Sequence, residues 1–219
     1  MRNKTVLALP PVVSGHGSAR RIRRLSRSEL PVDTVDLARY LIGKTLVHDS
    51  AEGRMSGRIV ETEAYVVGDA AAHSFRGRTP RNRSLFMERG HAYVYFIYGM
   101  WYCLNVSGEV EGVGAGVLLR ALEPVEGVDL MLSRRPRSRL SKLASGPGSL
   151  ATALGVDRGL DGVDLCGSSP LWLGSPLKNR GRVEIGTSVR IGITKEAHRL
   201  LRFYERGNDS VSGGLGMRS

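Results

Sequence analysis

The stretch from residue 92 to residue 107 constrains the fold more than any other part of the chain. It alternates apolar and polar residues, is rich in aromatics, and has Tyr98-Gly99 at its middle. Alternation with a period of two is typical of a strand, and a glycine between two such segments indicates a turn. We therefore predict a β-hairpin with strands at 92–97 and 101–107 and with Tyr98 at its tip. Strands joined by so short a turn pair antiparallel.

Further strand-like segments lie on both sides of this hairpin. We predict strands at residues 44–48, 54–63, 117–122, 171–173, 183–185, 189–193 and 201–204. Residues 66–83 contain few apolar side chains, which predicts a long ordered loop. Loops of this length usually have a function.

Helices are predicted where capping residues flank an apolar periodicity. Asp33 and Gly43 bracket a helix over residues 34–42, Pro124 begins a helix that ends near Arg134, and Gly155 closes a short helix that opens after Gly146. Because most strands are neighbours in sequence, we predict an α+β fold. It consists of a single domain with a curved, mainly antiparallel β-sheet, flanking helices and a protruding β-hairpin.

The ends of the chain differ in composition from this domain. Residues 1–28 crowd arginines among glycines and serines, which predicts a basic, flexible N-terminal arm. Residues 208–219 are polar and glycine-rich, which predicts a frayed C-terminal tail. The folded domain is therefore expected to span residues 29–207.

Charge and cysteine content narrow the classes of function. The chain carries 32 Lys and Arg against 21 Asp and Glu, a formal charge of +11. Such a charge favours a polyanionic partner such as a nucleic-acid backbone, although a basic surface without a specific partner has the same composition. Cys103 and Cys166 form no zinc-ligand spacing, and two cysteines are typical of a reducing, cytoplasmic compartment. No apolar run reaches the about 18–20 residues of a membrane span, so we expect no membrane partner.

Two carboxylates, Glu61 and Glu63, lie two residues apart in a predicted strand and should share one face of it. Glutamates so placed are often surface ion-pair partners, and the spacing does not choose between the two as a catalyst. Nearby aromatics offer flat faces for a nucleobase, although tyrosines in a strand are more often core. Glu63 and His73 lack a third metal ligand, so neither a metal nor a cofactor is expected. The run Gly146-Pro-Gly148 is either a phosphate-binding nest or an ordinary helix start.

Ten short segments, spread in order over residues 30–207, carry a resemblance to a known family. They are Arg58-Ile-Val-Glu-Thr-Glu-Ala-Tyr65, Ala72-His73-Ser74, Thr79-Pro-Arg-Asn-Arg83, Phe86-Met87, Tyr93-Val-Tyr95, Tyr98-Gly-Met100, Cys103-Leu-Asn105, Val117-Leu-Leu-Arg-Ala-Leu-Glu-Pro124, Ser145-Gly-Pro147 and Leu201-Arg-Phe-Tyr204. In these segments the chain resembles the alkyladenine DNA glycosylases, also called 3-methyladenine DNA glycosylases. The resemblance implies a DNA-repair enzyme that flips alkylated or deaminated purines out of double-stranded DNA and hydrolyses the N-glycosidic bond.

The resemblance assigns the catalytic roles. Glu63 is the implied general base that activates water, and Arg120 helps to hold that water. Glu61 becomes a supporting neighbour. No lysine matches a catalytic position, so the implied reaction is monofunctional and leaves an abasic site.

The resemblance also implies the base-binding pocket and the DNA wedge. Tyr65 is expected on one side of the flipped base and His73 with Tyr95 on the other, with the backbone N–H of His73 at the purine edge. Asn105 and Leu118 match residues that disfavour guanine. Tyr98 matches the aromatic that enters the minor groove and fills the gap in the stack.

Other functions remain open from sequence alone. A non-catalytic lesion-binding protein that flips bases would share the charge and the aromatics, and a metal-dependent hydrolase could use the same sheet. Formation of abasic sites and sensitivity to EDTA distinguish these functions. We expect a monomer in the cytoplasm, associated with the nucleoid if the source is bacterial.

Overall fold

One long strand, Gly53–Tyr65 (β2), organises the sheet and carries both glutamates. The structure is a computed structural model that describes residues 22–176 and 183–213. Within those ranges the chain forms three α-helices, four short 3-10 helices and eight strands. The α-helices are α1 (Thr34–Leu41), α2 (Val128–Arg134) and α3 (Pro147–Leu154). The other strands are β1 (Thr45–Ser50), β3 (Ala92–Ile97), β4 (Trp101–Ser107), β5 (Gly116–Glu126), β6 (Leu171–Gly174), β7 (Ile185–Ser188) and β8 (Arg202–Glu205).

The strands form a sheet in the order β3-β4-β5-β2-β1-β6, and β8 pairs with both β2 and β7. All of these pairings are antiparallel. The register between β2 and β5 shifts on both sides of Glu61, and such bulges bend a strand and increase its twist. The predicted α+β class with a curved antiparallel sheet is confirmed, and β3 and β4 form the hairpin.

Helix α1 forms where the capping signals indicated. The side chain of Asp33 accepts hydrogen bonds from the N–H groups of Val35 and Asp36 at 2.8 and 2.9 Å. The buried face of the helix packs on the sheet, where the Thr62 hydroxyl donates to the Ala38 carbonyl at 2.9 Å. No helix in the described part of the chain is long and apolar enough to cross a membrane.

The helix predicted from Pro124 begins later than expected. Pro124 instead lies in β5 opposite Gly57, at a register shift where its missing N–H donor is tolerated. The strand ends at Glu126, and the next residue is Gly127, whose φ of +67° suits glycine. A Cβ there would lie 2.3 Å from the Arg54 carbonyl oxygen, so the chain turns at this glycine and α2 begins at Val128.

The C-terminal strands were predicted only in part. The strands predicted at residues 171–173 and 201–204 match β6 and β8 closely. The strand predicted at 183–185 overlaps β7 (Ile185–Ser188) only at its last residue. The strand predicted at 189–193 is wrong, because this segment is an irregular turn. The segment alternates apolar and polar residues as a half-buried strand would. However, the polar Arg190 is itself buried, so the alternation does not separate a buried face from an exposed one.

The predicted N-terminal arm includes residues that pack on the domain. Leu25 is buried, and its N–H donates to the Leu173 carbonyl of β6 at 2.9 Å. Arg24 forms a bridge with Gly174 and stacks over the Trp172 ring at 4.4 Å. Residues 1–21 lie outside the described residues, so the arm there stays a prediction.

The predicted tail likewise contributes to the domain between residues 208 and 213. Ser212 is buried, and its N–H and hydroxyl donate to the two carboxylate oxygens of Glu61 at 2.6 and 2.9 Å. Arg202 donates to the Ser212 carbonyl at 2.7 Å. Residues 214–219 lie outside the described residues.

Ending the chain at Gly207 should destabilise the protein, because Glu61 then loses two buried hydrogen bonds. Leaving buried polar groups without partners costs about 1–3 kcal/mol each, so we expect the melting temperature to fall by about 5 °C or more. Differential scanning calorimetry measures the shift. A chain that ends at Gly213 keeps every contact described here and serves as the control, and equal melting temperatures for the two chains would contradict this role of residues 208–213.

Candidate active site

A cavity of about 360 Å³ opens where β2, β4 and β5 meet the loop before the hairpin. Pockets of this size hold small organic molecules. Seven of the eight predicted site residues line it: Tyr65, His73, Tyr95, Tyr98, Asn105, Leu118 and Arg120. The eighth, Glu63, is fully buried directly behind that wall.

Glu63 is held by donors from three parts of the chain. Its Oε1 accepts the N–H of Ile191 at 2.7 Å and lies 3.1 Å from Arg120 Nη1. Its Oε2 accepts the hydroxyl of Tyr65 at 3.0 Å. Because all three donors belong to residues that line the cavity, the carboxylate lies just beneath the cavity surface in a fixed orientation.

Glu61 lies on the same face of β2 and completes a buried charge network. Its Oε1 accepts Arg120 Nε at 2.9 Å and Arg202 Nε at 2.7 Å, and it also binds Ser212 as described above. Two carboxylates therefore face two guanidiniums in the protein interior. Burial alone would lower the pKa of Arg120, but the charges of Glu63 and Glu61 outweigh it and raise that pKa.

The ring of Tyr65 lies against a second buried ion pair. The guanidinium of Arg190 is 4.6 Å from the ring centroid, a cation–π distance. Arg190 donates to the Ala64 carbonyl at 3.0 Å. Both terminal nitrogens of Arg190 also donate to the carboxylate of Asp69. Burial first, and then the charge of Glu63, raise the pKa of Tyr65, so its hydroxyl stays protonated.

Across the cavity, three rings form an aromatic cluster. The His73 and Tyr95 rings meet edge to face with centroids 4.5 Å apart, and Tyr93 stacks on Tyr95 at 5.3 Å. His73 Nδ1 lies 2.9 Å from the Tyr93 hydroxyl. Burial, with the charge of Arg81, lowers the pKa of His73, and burial raises the pKa of Tyr93 to about 12. Both shifts favour the neutral forms of the two side chains.

Asn82 fixes the loop that carries His73. Its side-chain nitrogen donates to the carbonyls of His73 at 2.9 Å and Gly77 at 3.0 Å, and its oxygen accepts the Thr79 N–H at 2.7 Å. Within the described residues, no protein acceptor is hydrogen-bonded to the His73 backbone N–H. That N–H is thus available to a ligand.

Asn105 and Leu118 lie opposite each other on β4 and β5. Asn105 donates to the Tyr93 carbonyl at 3.3 Å, which fixes its amide against the cavity floor. The pair gives the cavity one polar and one apolar contact on the side away from the hairpin tip.

The hairpin tip presents Tyr98 to solvent with 80% of its surface exposed. Tyr98 and Gly99 have φ of +54° and +66°, and the Met100 N–H closes the turn on the Ile97 carbonyl at 3.2 Å. Positive φ at a bulky residue is strained and is typical of functional sites. The exposed side chains Phe96, Met100 and Trp101 flank it.

Four residues of this site were not predicted from sequence. Arg190 reaches the Tyr65 ring, Ile191 reaches Glu63 and Ser212 reaches Glu61 from more than 100 residues away, and Asp69 holds Arg190 from within a loop. No local pattern marks them, since a buried arginine and a backbone N–H have no sequence signature. Among the described residues, no group of three His, Cys, Asp or Glu side chains could hold a metal ion.

Comparison with known proteins identifies the family of the chain. The Methylpurine-DNA glycosylase (MPG) family model matches residues 28–209. A Mesorhizobium japonicum protein named 3-methyladenine DNA glycosylase is 65% identical over 189 residues, covering 86% of this chain and 90% of the relative. A Methanoculleus marisnigri protein of the same name is 50% identical over 183 residues, covering 82% and 94%. The Mus musculus DNA-3-methyladenine glycosylase is 45% identical over 194 residues, covering 81% and 58%. The chain therefore belongs to the methylpurine-DNA glycosylase family.

Proposed function

We propose that this monofunctional DNA glycosylase removes alkylated or deaminated purines, such as 3-methyladenine and hypoxanthine, from double-stranded DNA and leaves an abasic site. Family membership supports the enzyme class. One observation supports the reaction most directly: the buried carboxylate of Glu63 lies directly behind the wall of an aromatic cavity that can hold a base.

The damaged base leaves the stack and enters the cavity, because its glycosidic bond is inaccessible inside a duplex. It stacks between Tyr65 on one side and His73 with Tyr95 on the other. Each such contact contributes about 1–3 kcal/mol and tolerates different bases. The unused N–H of His73 binds the purine edge.

Hydrolysis breaks the bond between C1′ and the base nitrogen while water attacks C1′. Glu63 accepts a proton from that water, and its negative charge stabilises the positive charge that develops on the sugar. Arg120 helps to hold the water and Glu63. With a cationic lesion such as 3-methyladenine, the electrons of the broken bond neutralise the departing base, so that base needs no added proton. A neutral base such as hypoxanthine takes up one proton as it leaves, which balances the proton that the water gives to Glu63.

Asn105 and Leu118 give selectivity by exclusion. Guanine carries an exocyclic 2-amino group that adenine and hypoxanthine lack, and these two side chains occupy the space that it would need. Stacking alone accepts any base, so a site that relies on stacking needs such a steric element.

Tyr98 fills the gap that the flipped nucleotide leaves. A rigid aromatic at an exposed hairpin tip suits insertion from the minor groove. The net charge of +11 supports binding to the phosphate backbone, and the exposed arginines of the loop beside His73, Arg76, Arg78, Arg81 and Arg83, add to it. We propose that the protein acts as a monomer and in the cytoplasm, at the nucleoid in a bacterium.

Glu63→Gln should abolish base release from a hypoxanthine-containing duplex while leaving binding within about threefold of wild type. The amide keeps the shape of the carboxylate but cannot take a proton, and general-base catalysis contributes about 10²–10⁴-fold. Single-turnover measurement of abasic sites gives the rate, and fluorescence anisotropy gives the affinity.

Glu52→Gln makes the same change at an exposed glutamate and should leave the rate unchanged. Undiminished base release by Glu63→Gln would disprove the assigned mechanism. A wild-type protein that binds lesion DNA without forming abasic sites would be a non-catalytic lesion-binding protein.

Tyr98→Ala should weaken binding to a lesion-containing duplex by about tenfold or more and affect binding to the same lesion in single-stranded DNA much less. Only the duplex leaves a gap to fill, and a stacked aromatic contributes about 1–3 kcal/mol. Titration of both substrates by anisotropy measures the difference. Val110→Ala removes an exposed apolar side chain outside the hairpin as a control, and equal losses on both substrates would contradict the wedge role.

A further inference from the structure

The hydroxyl of Tyr65 has no role in the function proposed above. Stacking uses only the ring, and phenylalanine would offer the same face. The hydroxyl nevertheless makes a specific contact, because it donates a hydrogen bond to Glu63 Oε2 at 3.0 Å. A residue assigned to base binding thus also touches the assigned catalyst.

The donors to Glu63 are divided unevenly between its two oxygens. Arg120 and the Ile191 N–H both reach Oε1, at 3.1 and 2.7 Å. Among the described residues, Tyr65 is the donor to Oε2. A carboxylate oxygen accepts about two hydrogen bonds, so the capacity of Oε1 is fully used and Oε2 can accept one more.

We propose that Tyr65 is a positioning residue as well as a stacking surface. Its hydroxyl fixes Oε2 of Glu63 so that the remaining lone pair of this oxygen takes the proton of the attacking water. Tyr65 thereby connects the base-binding pocket to the catalytic carboxylate. This inference rests on the proposed function and adds the atom that receives the proton.

The ring of Tyr65 is fixed before any base arrives. Arg190 covers one face at 4.6 Å, and it is itself held by the Ala64 carbonyl and by Asp69. Arg190 is fully buried and does not line the cavity, whereas Tyr65 does. The opposite face of the Tyr65 ring is therefore the one available to a base. A base stacked on that face further restrains the ring, and the hydroxyl of the same ring holds Glu63.

Several ionisable groups lie around Glu63, so the test must change the Tyr65 contact alone. Strand β2 contributes Glu61 and Tyr65, β5 contributes Arg120, β8 contributes Arg202, and the segment after β7 contributes Arg190. Tyr65 contacts Glu63, and the donors described for Glu61 are Arg120, Arg202 and Ser212. A change at Tyr65 thus perturbs Glu63 selectively.

Tyr65→Phe tests the inference, because it removes the hydroxyl and keeps the ring. We expect the single-turnover rate of base release from hypoxanthine duplex to fall by about tenfold to a hundredfold. The affinity for that duplex should stay within about twofold, which also shows that the pocket is folded. A loss of rate without a loss of affinity separates the positioning of Glu63 from damage to the base-binding pocket.

Tyr40→Phe removes a hydroxyl from α1, outside the cavity, and should leave both the rate and the affinity unchanged. A wild-type rate for Tyr65→Phe, or a loss of affinity as large as the loss of rate, would overturn the positioning role. If Glu63→Gln is inactive in the same assay, either result leaves the proposed function intact. If Glu63→Gln is fully active, the proposed function itself fails.

Discussion

The site depends on the burial of one carboxylate, Glu63, with its charge fully matched by donors. An unpaired charge in a protein interior costs several kcal/mol, and so a buried glutamate persists only where the surrounding chain supplies partners. Here β5 supplies Arg120, the segment after β7 supplies the Ile191 N–H, and β2 itself supplies Tyr65. The arrangement therefore requires that three separate parts of the fold meet at one point.

The second glutamate makes this burial possible. Arg120 lies between Glu63 and Glu61, and Arg202 with Ser212 balances the remaining charge and hydrogen-bonding capacity. The bulges around Glu61 bend β2 at the same place, where the strand pairs with β5 and with β8. Charge balance and sheet curvature thus coincide, and the cavity opens at the end of the bent strand.

In contrast, Tyr98 lies on an exposed and strained turn, which suits a group that meets its partner only in a complex.

Local signals in the sequence predicted the elements whose structure is decided locally. The alternation around Tyr98-Gly99 predicted the hairpin, and Asp33 predicted the start of α1. The family resemblance supplied Glu63, which the spacing of the two glutamates could not select. Prediction failed where long-range contacts decide the structure. The segment 189–193 has the alternation of a strand, but burial of Arg190 against Asp69 makes it an irregular turn. Ser212 has the composition of a frayed tail, yet Glu61 binds it.

The most direct test of the account is a crystal structure of Glu63→Gln bound to duplex DNA that contains hypoxanthine. The account predicts the hypoxanthine outside the duplex, stacked on Tyr65 at about 3.5–4 Å, with its C1′ facing residue 63 and with Tyr98 in the vacated gap. A hypoxanthine that remains paired in the duplex, or that enters the cavity with its C1′ facing away from residue 63, would contradict the account.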